Sequence, residues 1–292
     1  MKTHLYTPYE PETLKKLHQV ELEIIQAVAE VCEKHNLCYF AAWGTAIGIE
    51  RHQGFIPWDD DVDLAMPRKD YDKFLRVCRE EFKGKYEVVT PLTQPAYCCT
   101  VTHVQKVGTK FVLSLYEGKA PYEGGICIDI FPLDNLSDDP KLQRKQLRRA
   151  WFLGRLLFLV GTPRPIIPIK TPVIRQGMIG ACFIAHYILK LFRISPGKIY
   201  KKLEQEKIRY NKVRTKYVTA LDDPAASKAR MKRSEISKMT WKKFETLMLP
   251  VPEQNDTILR RYYGDYMQLP PVEQRANHAP EILEFGDENV AG

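Results

Sequence analysis

Four carboxylates fall within five residues in the run Gly54-Phe55-Ile56-Pro57-Trp58-Asp59-Asp60-Asp61-Val62-Asp63. Side chains alternate along an extended chain, so Asp59, Asp61 and Asp63 are expected on one face while Val62 and Leu64 pack behind. Like charges held that close repel unless something neutralises them. A hard divalent cation is the economical neutraliser, because Mg²⁺ accepts carboxylate oxygens together with phosphate oxygens. A solvated acidic loop would need no ion, but this run abuts Ile56, Trp58 and an apolar strand. An EF-hand calcium loop does not fit, since Met66, Pro67 and Arg68 do not supply its glycine and distal Glu.

A metal centre for phosphoryl chemistry usually draws a further carboxylate from another strand. Asp129, inside Ile126-Cys127-Ile128-Asp129-Ile130-Phe131, is the candidate, because an unpaired buried Asp is expensive. The competing reading is a structural Asp paired with an Arg or a backbone donor. Asp134, just past Pro132, could equally cap a turn. Upstream, Gly44-Thr45 ends a short apolar run and offers an amide and a hydroxyl where a phosphate could approach a helix N-terminus. Arg51 and His52 follow and could hold phosphate or a leaving group, although isolated residues of these types are more often surface groups.

The elements that must position these groups can be read from spacing. Leu14, Leu17, Val20, Ile24, Val28 and Val31 recur every three or four residues, the pattern of an amphipathic helix. Leu37 to Trp43 reads as a buried strand, after which Thr45 is expected to cap a short helix. Asp61 to Met66 reads as a strand ended by Pro67, with Asp70 opening the next helix. Further strands are expected over Tyr86–Thr90, Tyr97–Val107, Lys110–Leu115 and Ile126–Phe131, the last closed by Pro132. Strands interspersed with helices predict a mixed α/β (α+β) sheet. Beyond Pro140 come a basic helix, a Pro-rich link over 161–172, an apolar helix to about Phe192 and a basic helix from Pro196 to about Lys216. Gly264 is expected to end a helix over Ile258–Tyr263.

The 292 residues carry 44 Lys plus Arg against 36 Asp plus Glu, a formal charge of +8 that is unevenly distributed. Between Lys141 and Arg233 there are 23 basic and 4 acidic residues, a net of +19, which leaves −11 for the remainder. A basic block beside an acidic remainder predicts anionic partners for the block and cations for the rest. Seven cysteines without a C-x-x-C pair support neither zinc nor a disulfide framework and fit a reducing, cytosolic setting. The N-terminal residues lack the apolar run of a secretory signal. The uncharged stretch Gln176–Leu189 falls short of the roughly 20 residues of a spanning helix, so it is expected to lie on or dip into a membrane.

Taken together, Gly44-Thr45-Ala46-Ile47-Gly48 through Arg51-His52, the Gly54–Asp63 run, Arg68-Lys69-Asp70-Tyr71, Ile128–Asp134 and Tyr263-Gly264-Asp265-Tyr266-Met267 with Arg275 and His278 resemble the LicD family of phosphocholine transferases. Fukutin and the fukutin-related protein belong to the same broader group. The chain departs from the family pattern at Glu50 and Cys127, and 150–195 matches nothing residue by residue. The resemblance implies a nucleotidyltransferase-like mixed sheet flanked by helices. It implies Mg²⁺ or Mn²⁺ held by Asp61, Asp63 and Asp129, these three also being the catalytic set, with Asp59 as an added ligand. Gly44, Thr45, Arg51, His52, Trp58 and Asp134 would then bind substrate.

The implied activity is transfer of a phosphorylated alcohol, such as phosphocholine or a polyol phosphate, from a CDP-linked donor to a hydroxyl of a cell-surface glycan or its lipid-linked precursor. Two other readings compete: a metal-dependent glycosyltransferase using a nucleotide-sugar, and a non-catalytic membrane-surface binding protein. Nucleic acid is not an expected partner, because an apolar stretch interrupts the basic block where aromatics would be expected to interleave. A catalytic core over 1–140, a basic helical segment over 141–240, a returning catalytic part over 241–285 and a tail over 286–292 complete the expectation. The location expected is cytoplasmic, peripheral on the cytoplasmic membrane face.

Overall fold

A computed structural model describes residues 6–113, 122–167, 169, 171–223 and 225–286. Ser114 and Leu115 of one expected strand, most of the expected tail and residues 1–5 lie outside them. Helix α1 (Pro11–Lys34) leads into β1 (Phe40–Ala41), α2 (Trp43–His52), β2 (Asp63–Pro67) and α3 (Arg68–Glu81). Strands β3 (Tyr86–Val89), β4 (Thr102–Lys106), β5 (Lys110–Val112) and β6 (Cys127–Leu136) follow. Next come helices α4 (Pro140–Gly161), α5 (Pro172–Leu191) and α6 (Pro196–Lys207), then β7 (Tyr217–Ala220) and β8 (Met231–Lys232). A hairpin of β9 (Met239–Phe244) and β10 (Leu247–Pro252), helix α7 (Asn255–Tyr263) and β11 (Ile282–Glu284) end the chain.

The central sheet is mixed, in the order β1-β2-β6-β4-β3, with β7 on the second half of β6 and β8 beyond it. Only β2 and β6 run parallel within it; the other pairs are antiparallel. Alternation assigns the faces. Leu64, Met66, Ile128 and Ile130 pack with Leu17, Ile24 and Val28 of α1 and Phe74 of α3. Ala65, Phe131 and Leu133 point the other way, into a cluster with Phe40 and Val218. Asp63 and Asp129 share the parity of Ala65 and Phe131.

Pro132 does not close β6 as expected; the strand runs on to Leu136. Asp129 N–H points to β2, where it donates to Val62 O at 2.8 Å, so the nitrogen of Pro132 faces the opposite flank. On that flank β4 pairing ends at Ile130 and β7 pairing begins at Leu133. The missing N–H therefore falls in a gap between partners.

Other boundaries also differ. Helix α2 begins at Trp43 without a side-chain cap, and the Thr45 hydroxyl accepts from Asp63 N–H at 2.8 Å instead. Helix α6 stops at Lys207, and the chain after it returns β7 and β8 to the sheet. Helix α5 has 20 residues, long and apolar enough by length and composition to cross a bilayer, which exceeds the shorter stretch read from the sequence. Gly264 takes φ +78° just past the last residue of α7, the left-handed conformation that suits a glycine. All seven cysteines are free.

Candidate active site

The parallel register of β2 and β6 makes Asp63 and Asp129 direct partners, and the antiparallel register of β6 and β4 adds His103 opposite Asp129. Three polar side chains thus form a row across the middle of an apolar sheet. Asp59 and Asp61 reach the same place from the loop before β2, although the residues preceding Asp63 are not strand. That loop is pinned by His18, whose Nε2 lies 2.8 Å from Asp59 O, and by Phe55, stacked on the His18 ring at 3.8 Å.

Burial raises the carboxyls of Asp59, Asp61 and Asp63 above their ordinary range, and the charges of their neighbours raise Asp59 and Asp63 further. Asp129 is pushed up to about 8, by burial first and by Asp61 second. Such a set is electrostatically incomplete. Its donor chemistry, all carboxylate oxygen, suits a hard divalent cation. Gly44 permits the convergence: a Cβ there would stand 3.1 Å from Asp59 Oδ2 and 4.0 Å from Asp63 Oδ2.

Two guanidiniums pack on Trp58, the residue just before Asp59. The Arg275 guanidinium lies 4.1 Å from the centre of the Trp58 ring and that of Arg51 5.9 Å from it. Arg51 Nη1 donates to Tyr266 O at 2.7 Å and its Nε to His52 Nε2 at 2.9 Å. Arg275 Nε is buried with no hydrogen-bond partner. Guanidiniums beside a carboxylate cluster are what a pyrophosphate bridging to a cation would require.

Residues 36–136 match the family profile described as LicD/FKTN/FKRP, nucleotidyltransferase domain, a span that covers α2, β2 and β6 and hence the acidic row. The chain is also 27% identical to the lipopolysaccharide cholinephosphotransferase LicD of Haemophilus influenzae over 271 residues, 91% of this chain and 96% of that protein. Uncharacterized proteins of Rickettsia typhi and Rickettsia prowazekii align at 34% and 38% identity, each over less than a fifth of either chain. Over residues 36–136 the chain is similar to the LicD family.

Not every expected residue reaches the cluster. Asp134 has a fully buried side chain bound by Arg68, Nε to Oδ1 at 2.7 Å and Nη2 to Oδ2 at 2.5 Å, and by Asn211 Nδ2 at 2.6 Å. Arg68 also bonds Glu204 of α6, which contacts Lys207, itself paired with Asp222. Asp134 therefore ties α6 to the sheet and is not brought to the substrate side. Asp60 is likewise engaged, accepting from the Tyr9 hydroxyl at 2.7 Å and from His278 N–H at 2.7 Å.

Three further groups join the cluster: His278, which with Arg275 is among the family-resembling residues, and His103 and Glu21, which the sequence reading did not single out. His278 Nδ1 stands 3.3 Å from Asp61 Oδ2 and is pushed up to about 9, chiefly by its bond to Asp60. His103 is pushed down to about 4 by burial, so it is a neutral ring whose Nε2 lies 3.2 Å from Asp129 Oδ1. With Cys127 and Asp129 it forms a group whose possible ligand atoms lie within 4.8 Å of one another, a closeness that no three of the four carboxylates share. Glu21, 1% exposed on α1, keeps Oε2 without a partner. Glu21 was legible: it falls four residues after Leu17 and three before Ile24, on the apolar face of its helix.

Proposed function

We propose that the protein transfers a phosphorylated alcohol from a CDP-activated donor to a hydroxyl of a surface glycan, such as lipopolysaccharide, or of its lipid-linked precursor. The protein is a LicD-type phosphotransferase, and its relative in Haemophilus influenzae is named for cholinephosphate transfer to lipopolysaccharide. The observation that carries the finer reading is the pairing of Asp63 with Asp129 in register, with Asp59 and Asp61 in the loop just before β2 and Arg51 and Arg275 packed on Trp58 beside that loop. Asp59, Asp61, Asp63 and Asp129 would hold Mg²⁺ or Mn²⁺, which when bound would offset the negative charge of the pyrophosphate.

The protein's own residues then have separable tasks. Arg51 and Arg275, splayed on Trp58, bind the phosphates and orient the bond to be broken. The acceptor hydroxyl oxygen forms a bond to the phosphorus that carries the alcohol, while the bond from that phosphorus to the bridging oxygen breaks and CMP leaves with the electron pair. Asp129, held 3.2 Å from a neutral His103, takes the hydroxyl proton.

A donor screen tests the reading: CMP release from CDP-choline, CDP-glycerol and CDP-ribitol, alongside UDP-sugars, each with Mn²⁺ or Mg²⁺. Consumption of a UDP-sugar with no CMP from any CDP-alcohol would replace it with the glycosyltransferase reading. Normal turnover by Asp129→Asn with metal still bound would remove Asp129 as proton acceptor.

The same proposal places the protein peripherally on the cytoplasmic membrane face. Supporting it, α5 buries only Leu189 and leaves Val173 82% and Leu191 77% exposed, with Ile184 and Phe192 also outward. Arg144, Lys145 and Arg148 of α4 and Lys202 of α6 line a neighbouring basic hollow. An apolar helix flanked by cations fits an anionic lipid surface.

A further inference from the structure

Beside the acidic row lies a cavity of about 270 Å³, lined by Glu21, Asp61 and Asp129 at one side and by Tyr97, Phe111, Tyr122 and Phe158 elsewhere. Its volume is below the roughly 300–1,000 Å³ of pockets that enclose drug-sized ligands, so it suits a small headgroup rather than a nucleoside. The chemistry of its wall limits what that headgroup can be. The Tyr97 hydroxyl donates to Val101 O at 2.7 Å and the Tyr122 hydroxyl to Gln105 Oε1 at 3.0 Å. Both hydroxyls are spent on the protein, and the two tyrosines offer the cavity their rings, packed edge to face at 5.5 Å.

Away from the carboxylates, a polyol headgroup entering here would bring hydroxyls against rings and thiols and leave those hydroxyls short of partners. A quaternary ammonium brings no hydrogen-bonding group and is attracted by ring faces. A counter-group is in place: Glu21 is buried with an unpartnered Oε2 and, among the described residues, no cation paired to it. Burial and the nearby carboxylates hold its carboxyl above the ordinary range, so an entering cation supplies the partner that favours its ionised form. The imidazolium of His278 is taken by Asp60 and Asp61.

We propose that Glu21, with the rings of Tyr97, Phe111, Tyr122 and Phe158, forms a subsite for the cationic headgroup of the transferred alcohol phosphate and selects a quaternary ammonium alcohol over a polyol. The proposal rests on the transferase reading for the origin of the headgroup, not for its binding. It assigns Glu21 to substrate selection and the acidic row to the phosphates.

The test measures binding of choline, of its uncharged isostere 3,3-dimethylbutan-1-ol and of glycerol to the full chain by calorimetry, in wild type, Glu21→Gln and Phe111→Leu. Circular dichroism and melting curves check that both variants fold. Choline should bind best to wild type and lose about thirtyfold or more in Glu21→Gln, the scale of removing one partner of a buried charge pair. Phe111→Leu should lose about three- to tenfold, the scale of one cation–π contact. The isostere should bind equally to wild type and Glu21→Gln. Equal binding of choline and isostere, unchanged choline affinity in folded Glu21→Gln, or no choline binding to wild type at millimolar concentration would overturn the proposal.

Donor discrimination separates this failure from failure of the transferase reading. Glu21-dependent choline binding without CMP release from any CDP-alcohol would leave the subsite and remove the transferase reading. CMP release at equal kcat/KM from CDP-choline and CDP-glycerol would do the reverse.

Discussion

Replacing Asp129 by Asn should change how the metal-free protein responds to pH. The carboxyl of Asp129 is pushed up from 3.8 to about 8, by burial first and by the charge of Asp61 second. A carboxyl raised on folding stabilises the fold fully below its unfolded pKa and loses that contribution as pH rises through the folded value. Between pH 6.5 and 8 an isolated group with these values would lose about 1.6 kcal/mol. Its side chain is 24% exposed, so solvent screening makes this an upper figure. In a chain of this size 1 kcal/mol corresponds to about 2 °C in Tm, which gives a loss of up to about 3 °C.

The window avoids His103, whose lowered pKa of about 4 affects stability only below its unfolded value of 6.5. His278, raised to about 9 chiefly by Asp60, weakens both proteins as pH rises, wild type somewhat more because Asp129 adds to that raise. The assay is a set of melting curves in chelator from pH 6.5 to 8. The Tm of Asp129→Asn minus that of wild type should grow by up to about 3 °C across the window. A constant difference, or one that shrinks, would refute the account of a charge-repelled acidic row.

Three further outcomes follow from the same geometry. In Gly44→Ala the new Cβ meets Asp59 Oδ2 at 3.1 Å, so Mn²⁺ affinity measured by paramagnetic resonance should fall about tenfold while Tm moves by less than about 3 °C. Arg68→Met leaves the fully buried carboxyl of Asp134 with Asn211 but no cation and should cost about 3–5 kcal/mol in urea unfolding; a loss under 1 kcal/mol would deny the ion cluster its role in holding α6. Ile184→Asp together with Leu191→Asp should abolish flotation with anionic liposomes and leave CMP release in detergent unchanged; retained flotation would remove α5 from the membrane contact.

The acidic row was legible because period-2 alternation and prolines delimit β2, and because Asp129 is polar in an otherwise apolar run. What alternation could not give was which strand lies beside which. The pairing of Asp63 with Asp129 comes from the parallel contact of β2 with β6, and His103 enters only because β4 lies on the other side. Asp134 misled because a carboxylate near a motif looks the same in sequence whether it meets substrate or Arg68. β7 and β8 were hidden inside a segment whose charge dominated its pattern, although Tyr217-Val218-Thr219-Ala220 is short and β-rich. Pro132 was read as a stop because a missing N–H is harmful only where a partner strand needs it, and the partner changes there.

The most direct test of the central claim follows labelled phosphocholine from CDP-choline onto a lipopolysaccharide acceptor while CMP is measured in the same tube. The account predicts one CMP for each label transferred, in the presence of Mn²⁺ or Mg²⁺, with both products lost on chelation and in Asp61→Ala and Asp63→Ala. Label transfer that persists in chelator, or in folded Asp63→Ala at the wild-type rate, would contradict it.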